Sequence, residues 1–278
     1  MTGRGLLVDG SIAREGALSR VPGAFADVVD AARDRIARRF GDGRLHSAYV
    51  YGSIPRGTAI AGVSDLDLLL ALHAEPTEAD RLDAARIEQA LDQSFDQIDG
   101  VGILLFSTRT LLSELERHDL GFFVACLCTP LLGDDLAEEL PRYRPTALLA
   151  RETNGDLSSA LPEWGRQAAR ATTDNQRRGL SRLVARRIVR TGFTLVMPHW
   201  GGWTSDLTES AEAFGTYYPA RAEQMLGAAR IGRAPSADPA VLRQLIDDLG
   251  PWLAAEYTAV HGEKAVRPCE RSMPRGRH

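Results

Sequence analysis

Two aspartates, Asp65 and Asp67, stand one residue apart at the start of an apolar run, "SDLDLLLAL", that is typical of a buried β-strand. Side chains at positions i and i+2 of a strand point to the same face, so both carboxylates are expected side by side, with Leu66 and Leu68 facing the core. Two like charges this close repel each other, and burying them is costly unless a cation intervenes. Mg²⁺ is commonly held by one or two carboxylates plus substrate phosphates. The pattern therefore favours a divalent-metal site; a pair of exposed aspartates near a strand end is the simpler alternative.

A Gly-Ser pair lies upstream, directly after another apolar run, "SAYVY", which is also predicted to be a strand. Gly52 lets the backbone turn without a Cβ and lets a phosphate approach closely. Backbone N–H groups in such a turn form an anion site, to which Ser53 adds a hydroxyl donor. Arg56 follows within reach of the same anion. The order of strand, Gly-Ser, short connection and Asp-x-Asp predicts a phosphate-binding turn beside a metal site.

Further elements are predicted around these strands. Residues 22–40 follow a helical period that Gly41 and Gly43 end. Thr77 is placed to cap a helix over "TEADRLDAARIEQALDQSF". "VGILLFS" is predicted to be a buried strand, and "FFVACLCTPLL" is either another strand or the end of a helix running from Leu111.

From about residue 146 the sequence shows helical periodicity and no clear strand. We therefore predict a first domain over 1–145, a helical bundle over 146–265 and a mobile polar tail over 266–278. One predicted helix carries arginines at roughly i, i+4 spacing, which either face an anionic ligand or form a solvated face. They are Arg178, Arg182, Arg186 and Arg190. The tryptophans Trp200 and Trp203 either stack on a ring-bearing ligand or close the core of the bundle.

Composition excludes several classes of protein. The net charge of −4 argues against a non-specific nucleic-acid binder. The three cysteines are odd in number and two lie in an apolar run, which indicates reduced thiols. The N-terminus lacks the apolar core of a signal peptide, and no apolar stretch is long enough to span a membrane. The prediction is a cytoplasmic protein with no membrane partner.

The Gly-Ser and Asp-x-Asp segments together resemble the signature of the nucleotidyltransferase superfamily typified by DNA polymerase beta. The matching residues are Gly52, Ser53, Arg56, Gly57, Ser64, Asp65 and Asp67. The second half is similar in layout to the bundle of aminoglycoside adenylyltransferases. The residues that carry this second likeness are Gly192, Thr204, Phe214 and Pro219. The resemblance implies an α/β (α+β) domain with a mixed sheet flanked by helices, followed by an all-α bundle.

The resemblance also implies an activity. Asp65 and Asp67 would hold one or two Mg²⁺ ions on the phosphates of a nucleoside triphosphate, expected to be ATP. Gly52 and Ser53 would bind the β- and γ-phosphates while a hydroxyl of a small acceptor, such as an aminoglycoside-like antibiotic or a metabolite, attacks the α-phosphorus and pyrophosphate leaves. Other residues expected to bind the nucleotide are Arg56, Ser64, Arg186 and Arg190.

This sequence departs from the family at the third carboxylate, which usually lies on a later strand as metal ligand or general base. Aligning "VGILLFS" with the family places Gly102 at that position. Asp99, just before the strand, is the predicted catalytic substitute if the strand begins earlier; a role in capping the loop is the alternative. Other acids that could serve are Glu114, Glu116 and Glu152. Two further functions stay open: nucleotidyl transfer to a protein or a tRNA, and an NTP-binding regulator without catalysis.

Overall fold

The computed structural model describes residues 4–267, which divide into two units. Residues 13–143 form the sheet unit. Residues 144–267 form the helical unit together with residues 4–12.

A four-stranded sheet organises the sheet unit. Its strands run in the order β3-β2-β1-β4, with β1 antiparallel to both β2 and β4, and β2 parallel to β3. The sheet is therefore mixed, as the resemblance implied. The strands are β1 (Leu45–Tyr51), β2 (Leu66–Leu72), β3 (Val101–Ser107) and β4 (Cys128–Gly133).

Five α-helices flank these strands. Two of them lie where the sequence predicts helices, over residues 22–40 and after Thr77. The five are α1 (Ala26–Arg44), α2 (Ser53–Arg56), α3 (Glu78–Asp92), α4 (Thr108–Leu111) and α5 (Leu120–Phe122). Thr77 caps α3 through a reciprocal capping box with Asp80. Gly41, with φ +60° and ψ 170°, breaks the regular helix, and one further turn leads to the end of α1 at Arg44. The predicted end at Gly41 and Gly43 is therefore confirmed to within one turn.

The apolar segment after α5 is half helix and half strand. A π-helical turn, Phe123–Leu127, follows α5 directly, and β4 begins at Cys128. The strand prediction holds from Cys128 onward and the helical one before it, but the predicted helix from Leu111 is wrong, since residues 112–119 form turns and α5 begins at Leu120.

The two faces of the sheet bury separate cores. Leu66, Leu68 and Leu70 face one core, which α1 and α3 cover. Leu69 and Ala71 face the other core, along with tyrosines of β1. Because side chains alternate along β2, Asp67 belongs to the same face as Leu69.

The helical unit contains seven α-helices within its described residues. They are α6 (Ala147–Asn154), α7 (Leu157–Arg170), α8 (Asp174–Trp200), α9 (Leu207–Tyr217), α10 (Ala222–Arg233), α11 (Pro239–Arg243) and α12 (Gly250–His261). α8 supplies much of the core, since thirteen of its residues are buried. No helix between residues 4 and 267 is long and apolar enough to cross a bilayer.

Both ends of the described chain are fixed to the helical unit. The Trp203 N–H donates to the Arg4 carbonyl at 2.9 Å, and the Arg4 guanidinium lies 5.0 Å from the centre of the Trp200 ring. Near the other end, Lys264 pairs with Asp156 at 3.2 Å. Most of the predicted mobile tail, from residue 268 onward, lies outside the described residues.

Candidate active site

The Gly-Ser turn joins β1 to the single helical turn α2. Gly52 follows the last residue of β1 and has φ +83°, a conformation that favours glycine. Ser53 opens α2, and Gly57 closes it in the left-handed region. The Ser53 carbonyl then accepts a hydrogen bond from the Thr58 N–H at 3.0 Å. The sequence therefore forms a tight turn at the predicted phosphate-binding position.

Asp67 lies directly against this turn. In the sheet it pairs with Tyr51 of β1 on one side and with Gly102 of β3 on the other. A Cβ on Gly52 would stand 2.6 Å from Asp67 Oδ2, closer than nonbonded atoms tolerate. Only glycine at position 52 thus leaves room for the carboxylate beside the turn.

Asp65 lies one residue before β2, so it approaches the site from the loop. Its Oδ1 would be 3.6 Å from a Cβ on Gly100. The main chains of the two loops are tied together, because the Leu66 N–H donates to the Gly100 carbonyl at 2.8 Å and the Asp99 N–H to the Ser64 carbonyl at 3.1 Å. The two aspartates therefore lie next to different glycines. Asp65 lies next to Gly100, and Asp67 lies next to Gly52.

The structure bears on the missing third carboxylate. Gly102 is the register partner of Asp67, so the position beside that aspartate on β3 has no side chain. β3 begins at Val101, so the earlier strand start that would place Asp99 on β3 is not found. Asp99 is exposed in the preceding loop, and its catalytic role stays a prediction.

The alternative acids differ in their surroundings. Glu114 is exposed and pairs with Arg117. Glu152 lies in the helical unit with Arg151 and Arg267 each 2.8 Å away. Burial raises the pKa of Glu152, but hydrogen bonds from both arginines outweigh it and hold that pKa below its usual range. A carboxylate with a lowered pKa is a weak proton acceptor, which disfavours Glu152 as a general base.

Arg56 and Ser64 border the turn. Arg56 Nε donates to the Gly52 carbonyl at 3.0 Å, and its guanidinium lies 3.5 Å from a carboxylate oxygen of Glu15. The Ser64 hydroxyl accepts from the Ile60 N–H at 2.9 Å. Their predicted contacts with a nucleotide stay predictions.

Glu15 is a residue of this site that the sequence did not indicate. Its N–H donates to the Cys126 carbonyl at 2.9 Å, which fixes the segment before α1 beside the π-helical turn. Glu15 thereby positions Arg56, and no local pattern reveals a partner forty-one residues away.

Cys128, the first residue of β4, is a neutral thiol. Burial raises the pKa of this thiol; the charge of Arg14 lowers it, and the charges of Asp135 and Asp67 raise it further.

The two arginines predicted to bind nucleotide, Arg186 and Arg190, lie on α8 in the helical unit. Arg186 Nε donates to the Gly232 carbonyl at 3.0 Å, and Arg190 is exposed. Their role also stays a prediction. Trp203 is buried and packs edge-on against Phe193, which supports the core-closing alternative for that residue.

The donor set at the turn fits one kind of metal site. Within residues 4–267, no three His, Cys, Asp or Glu side chains gather in a way that could hold a metal ion by themselves. Asp67 beside the glycine turn and Asp65 beside Gly100 are instead ligands of the kind with which proteins hold Mg²⁺ when substrate phosphates complete the set. Asp65 and Asp67 therefore fit a Mg²⁺ ion shared with a phosphate ligand.

Comparison with known proteins adds evidence on the fold. No family model matches the sequence, and no curated protein matches it. Among solved structures, the chain is similar to the crystal structure of spectinomycin adenyltransferase AAD(9) from Enterococcus faecialis with ATP and spectinomycin. The TM-score is 0.52 and the identity 14%, over 84% of this chain and 99% of that one. This likeness shows the fold alone, a mixed sheet with flanking helices and a helical unit.

Proposed function

We propose that this protein is a Mg²⁺-dependent nucleotidyltransferase that transfers AMP from ATP to a hydroxyl of a small-molecule acceptor and releases pyrophosphate. The observation that carries the proposal is the packing of Asp67 against Gly52, 2.6 Å from where a Cβ would stand, in a chain with a nucleotidyltransferase fold. A carboxylate beside a turn of this kind suits a phosphate chain bound through a metal. The solved adenyltransferase with ATP and spectinomycin supports ATP as donor and a small acceptor.

In this proposal each residue of the turn has a separate task. The Gly52-Ser53 backbone and the Ser53 hydroxyl hold the terminal phosphates. Asp65 and Asp67 hold Mg²⁺, which when bound neutralises the phosphate charge and polarises the reacting phosphoryl group. Glu15 and the Gly52 carbonyl orient Arg56 beside the same phosphates. Catalysis then depends mainly on positioning and on charge neutralisation.

The proton of the acceptor hydroxyl needs a destination. Gly102 has no side chain to take it, so we assign the role of base to Asp99, whose backbone is tied to Ser64 next to Asp65. An exposed carboxylate is a modest base. The assignment therefore implies that metal and phosphate positioning contribute more to the rate than proton transfer does.

Gly102 also favours a second candidate, an NTP-binding regulator that does not turn over. Such a protein would keep the phosphate-binding turn and the two aspartates while lacking an acid opposite Asp67. It would bind Mg-NTP and release no pyrophosphate.

The deciding experiment measures pyrophosphate release from each of the four NTPs with Mg²⁺, against spectinomycin and other aminoglycosides, lincosamides and simple polyols. The Asp65→Asn/Asp67→Asn protein serves as the control. Release that depends on one acceptor and disappears in the control supports the transferase. Mg-NTP binding without release supports the regulator, and release that persists in the control contradicts both.

A further inference from the structure

A groove rich in arginine lies on the outer surface of the sheet unit, between α1 and α3. We call it the arginine groove and define it by Arg35, Arg38, Arg39, Asp83 and Arg86, with Ile87 and Ala90 on its apolar side. Its volume is about 290 Å³. The positions follow helical spacing on both helices, so each helix contributes one stripe of side chains.

The positive charges of the groove exceed the negative ones. Four guanidinium groups line it with one carboxylate, Asp83, which pairs with both Arg39 and Arg86. Arg38 has an ion pair with Asp34 at 3.7 Å, and both side chains are about two-thirds exposed.

Arg35 is the informative member of the set. It is half-buried, and it forms no ion pair with any residue in the described range 4–267. A guanidinium that is partly withdrawn from water and lacks an ion pair would be stabilised by an anionic ligand.

The chemistry of the groove selects the ligand class. Several guanidinium groups in a small space match the paired oxygens of phosphates, which arginine binds in a bidentate manner. The net charge of the chain is −4, so the long-range field does not attract a nucleic-acid polymer. The four guanidinium groups lie within one small surface depression, which matches a compact anion with several charges.

This groove is separate from the candidate active site. The helices α1 and α3 cover the core on one face of the sheet, whereas Asp67 belongs to the opposite face. We propose that the arginine groove is a second anion site of this protein, which binds an oligophosphate group of inorganic pyrophosphate or of a nucleotide. The proposal does not depend on the proposed transferase activity.

The test is calorimetric titration of the full chain with inorganic pyrophosphate in EDTA, so that no divalent metal supports binding at Asp65 and Asp67. Arg35→Gln removes the half-buried guanidinium. Arg33→Gln is the matched control, because Arg33 lies on the same helix, pairs with Asp30 and does not line the groove. We expect Arg35→Gln to weaken binding roughly tenfold and Arg33→Gln to leave it unchanged.

A second pair of variants guards against a folding defect. Ala90→Glu introduces a carboxylate into the groove from α3, and Ala85→Glu introduces one on the exposed side of the same helix. Only Ala90→Glu should weaken pyrophosphate binding, with both variants unfolding at the same urea concentration. Titration with ATP in EDTA then distinguishes the sources, since tighter binding of ATP than of pyrophosphate assigns a nucleotide.

Three results would overturn the proposal. The first is absence of pyrophosphate binding by the wild type. The second is an equal loss in Arg33→Gln and Arg35→Gln, which would show general surface attraction. The third is binding that Ser53→Ala abolishes while Arg35→Gln retains it, which would place the anion in the candidate active site.

Discussion

The two ends of β1 each lie beside an aspartate, and the two carboxylates have different neighbours. At the start of β1, Arg44 donates from Nε to Asp80 at 2.8 Å, and the Thr77 N–H donates to the same carboxylate at 2.7 Å. At the far end, Asp67 Oδ2 lies 2.6 Å from the point where a Cβ on Gly52 would stand, so only a glycine fits beside this carboxylate.

This difference accompanies a structural role for Asp80 and the ligand-binding role that we propose for Asp67. The hydrogen bond from Arg44 holds the pKa of Asp80 well below its usual range, with burial opposing it and Thr77 adding to it. The capping box also commits Asp80 to the start of α3. Asp67 instead has a glycine as neighbour on the turn and another, Gly102, across the sheet. The backbone of the turn therefore lies directly against the Asp67 carboxylate.

Gly52→Ala should produce the largest effect on function. The new Cβ would meet Asp67 Oδ2 at 2.6 Å, and φ is +83°, so both the carboxylate and the turn must move. We expect transfer to fall on the order of 100-fold, since displacing reacting groups by about 1 Å has that cost. Steady-state pyrophosphate release measures it.

Gly62→Ala is the matched control for that prediction. Gly62 also has a positive φ, +73°, but nothing lies within 4 Å of the point where an added Cβ would stand. It should lose about 1 kcal/mol of stability from backbone strain and keep its activity. An equal loss of transfer in both variants would attribute the effect to strain alone.

Asp80→Asn should produce the largest effect on stability. Removing the carboxylate leaves a partly buried Arg44 without its ion pair, which costs about 3 kcal/mol in free energy of unfolding. Urea denaturation measures the shift. Asp83→Asn, on the same helix but beside two largely exposed arginines, should shift the midpoint much less. Equal shifts would contradict the structural role of Asp80.

The contribution of Asp80 should also depend on pH. The pKa of Asp80 in the folded protein lies below its unfolded value of about 3.9. The carboxylate therefore stabilises the fold fully at pH values above about 3.9, and this stabilisation is lost as the pH falls from there toward the folded pKa. The difference in urea midpoint between wild type and Asp80→Asn should therefore narrow below about pH 4. A difference that stays constant from pH 7 to pH 3 would contradict this assignment.

Glu88→Gln should produce the smallest effect. Glu88 Oε1 accepts the Ile103 N–H at 2.7 Å on the outer edge of β3, and burial raises the pKa of its carboxyl. A glutamine keeps the acceptor and removes the charge, so stability at pH 7 should rise by less than about 1 kcal/mol. Because the folded pKa is raised, this gain should disappear in acid, where Glu88 is protonated; a loss of stability at pH 7 would contradict the prediction.

Much of the sheet unit was predictable from sequence because its signals are local. The run "VGILLFS" coincides with β3, and Thr77 caps α3 as expected. Leu66 and Leu68 are fully buried, as alternation in β2 requires. In each case a short apolar pattern or a single cap is sufficient to determine the local structure.

The remaining features depend on contacts between distant residues. The ion pair of Glu15 with Arg56 and the position of Gly100 beside Asp65 form only in the folded chain. The sequence indicated the two aspartates and the Gly-Ser turn, but it could not indicate which residues support them.

The roles of Asp67 and Asp80 are tested most directly by comparing Asp67→Asn with Asp80→Asn. For each variant, one experiment measures pyrophosphate release from Mg-ATP with the identified acceptor, and a second measures the urea midpoint. We predict that Asp67→Asn loses transfer by at least about 100-fold while its midpoint is unchanged or higher. Asp80→Asn should keep the kcat of the folded protein while its midpoint falls. Retention of transfer by Asp67→Asn would contradict the central claim that this carboxylate serves the reaction.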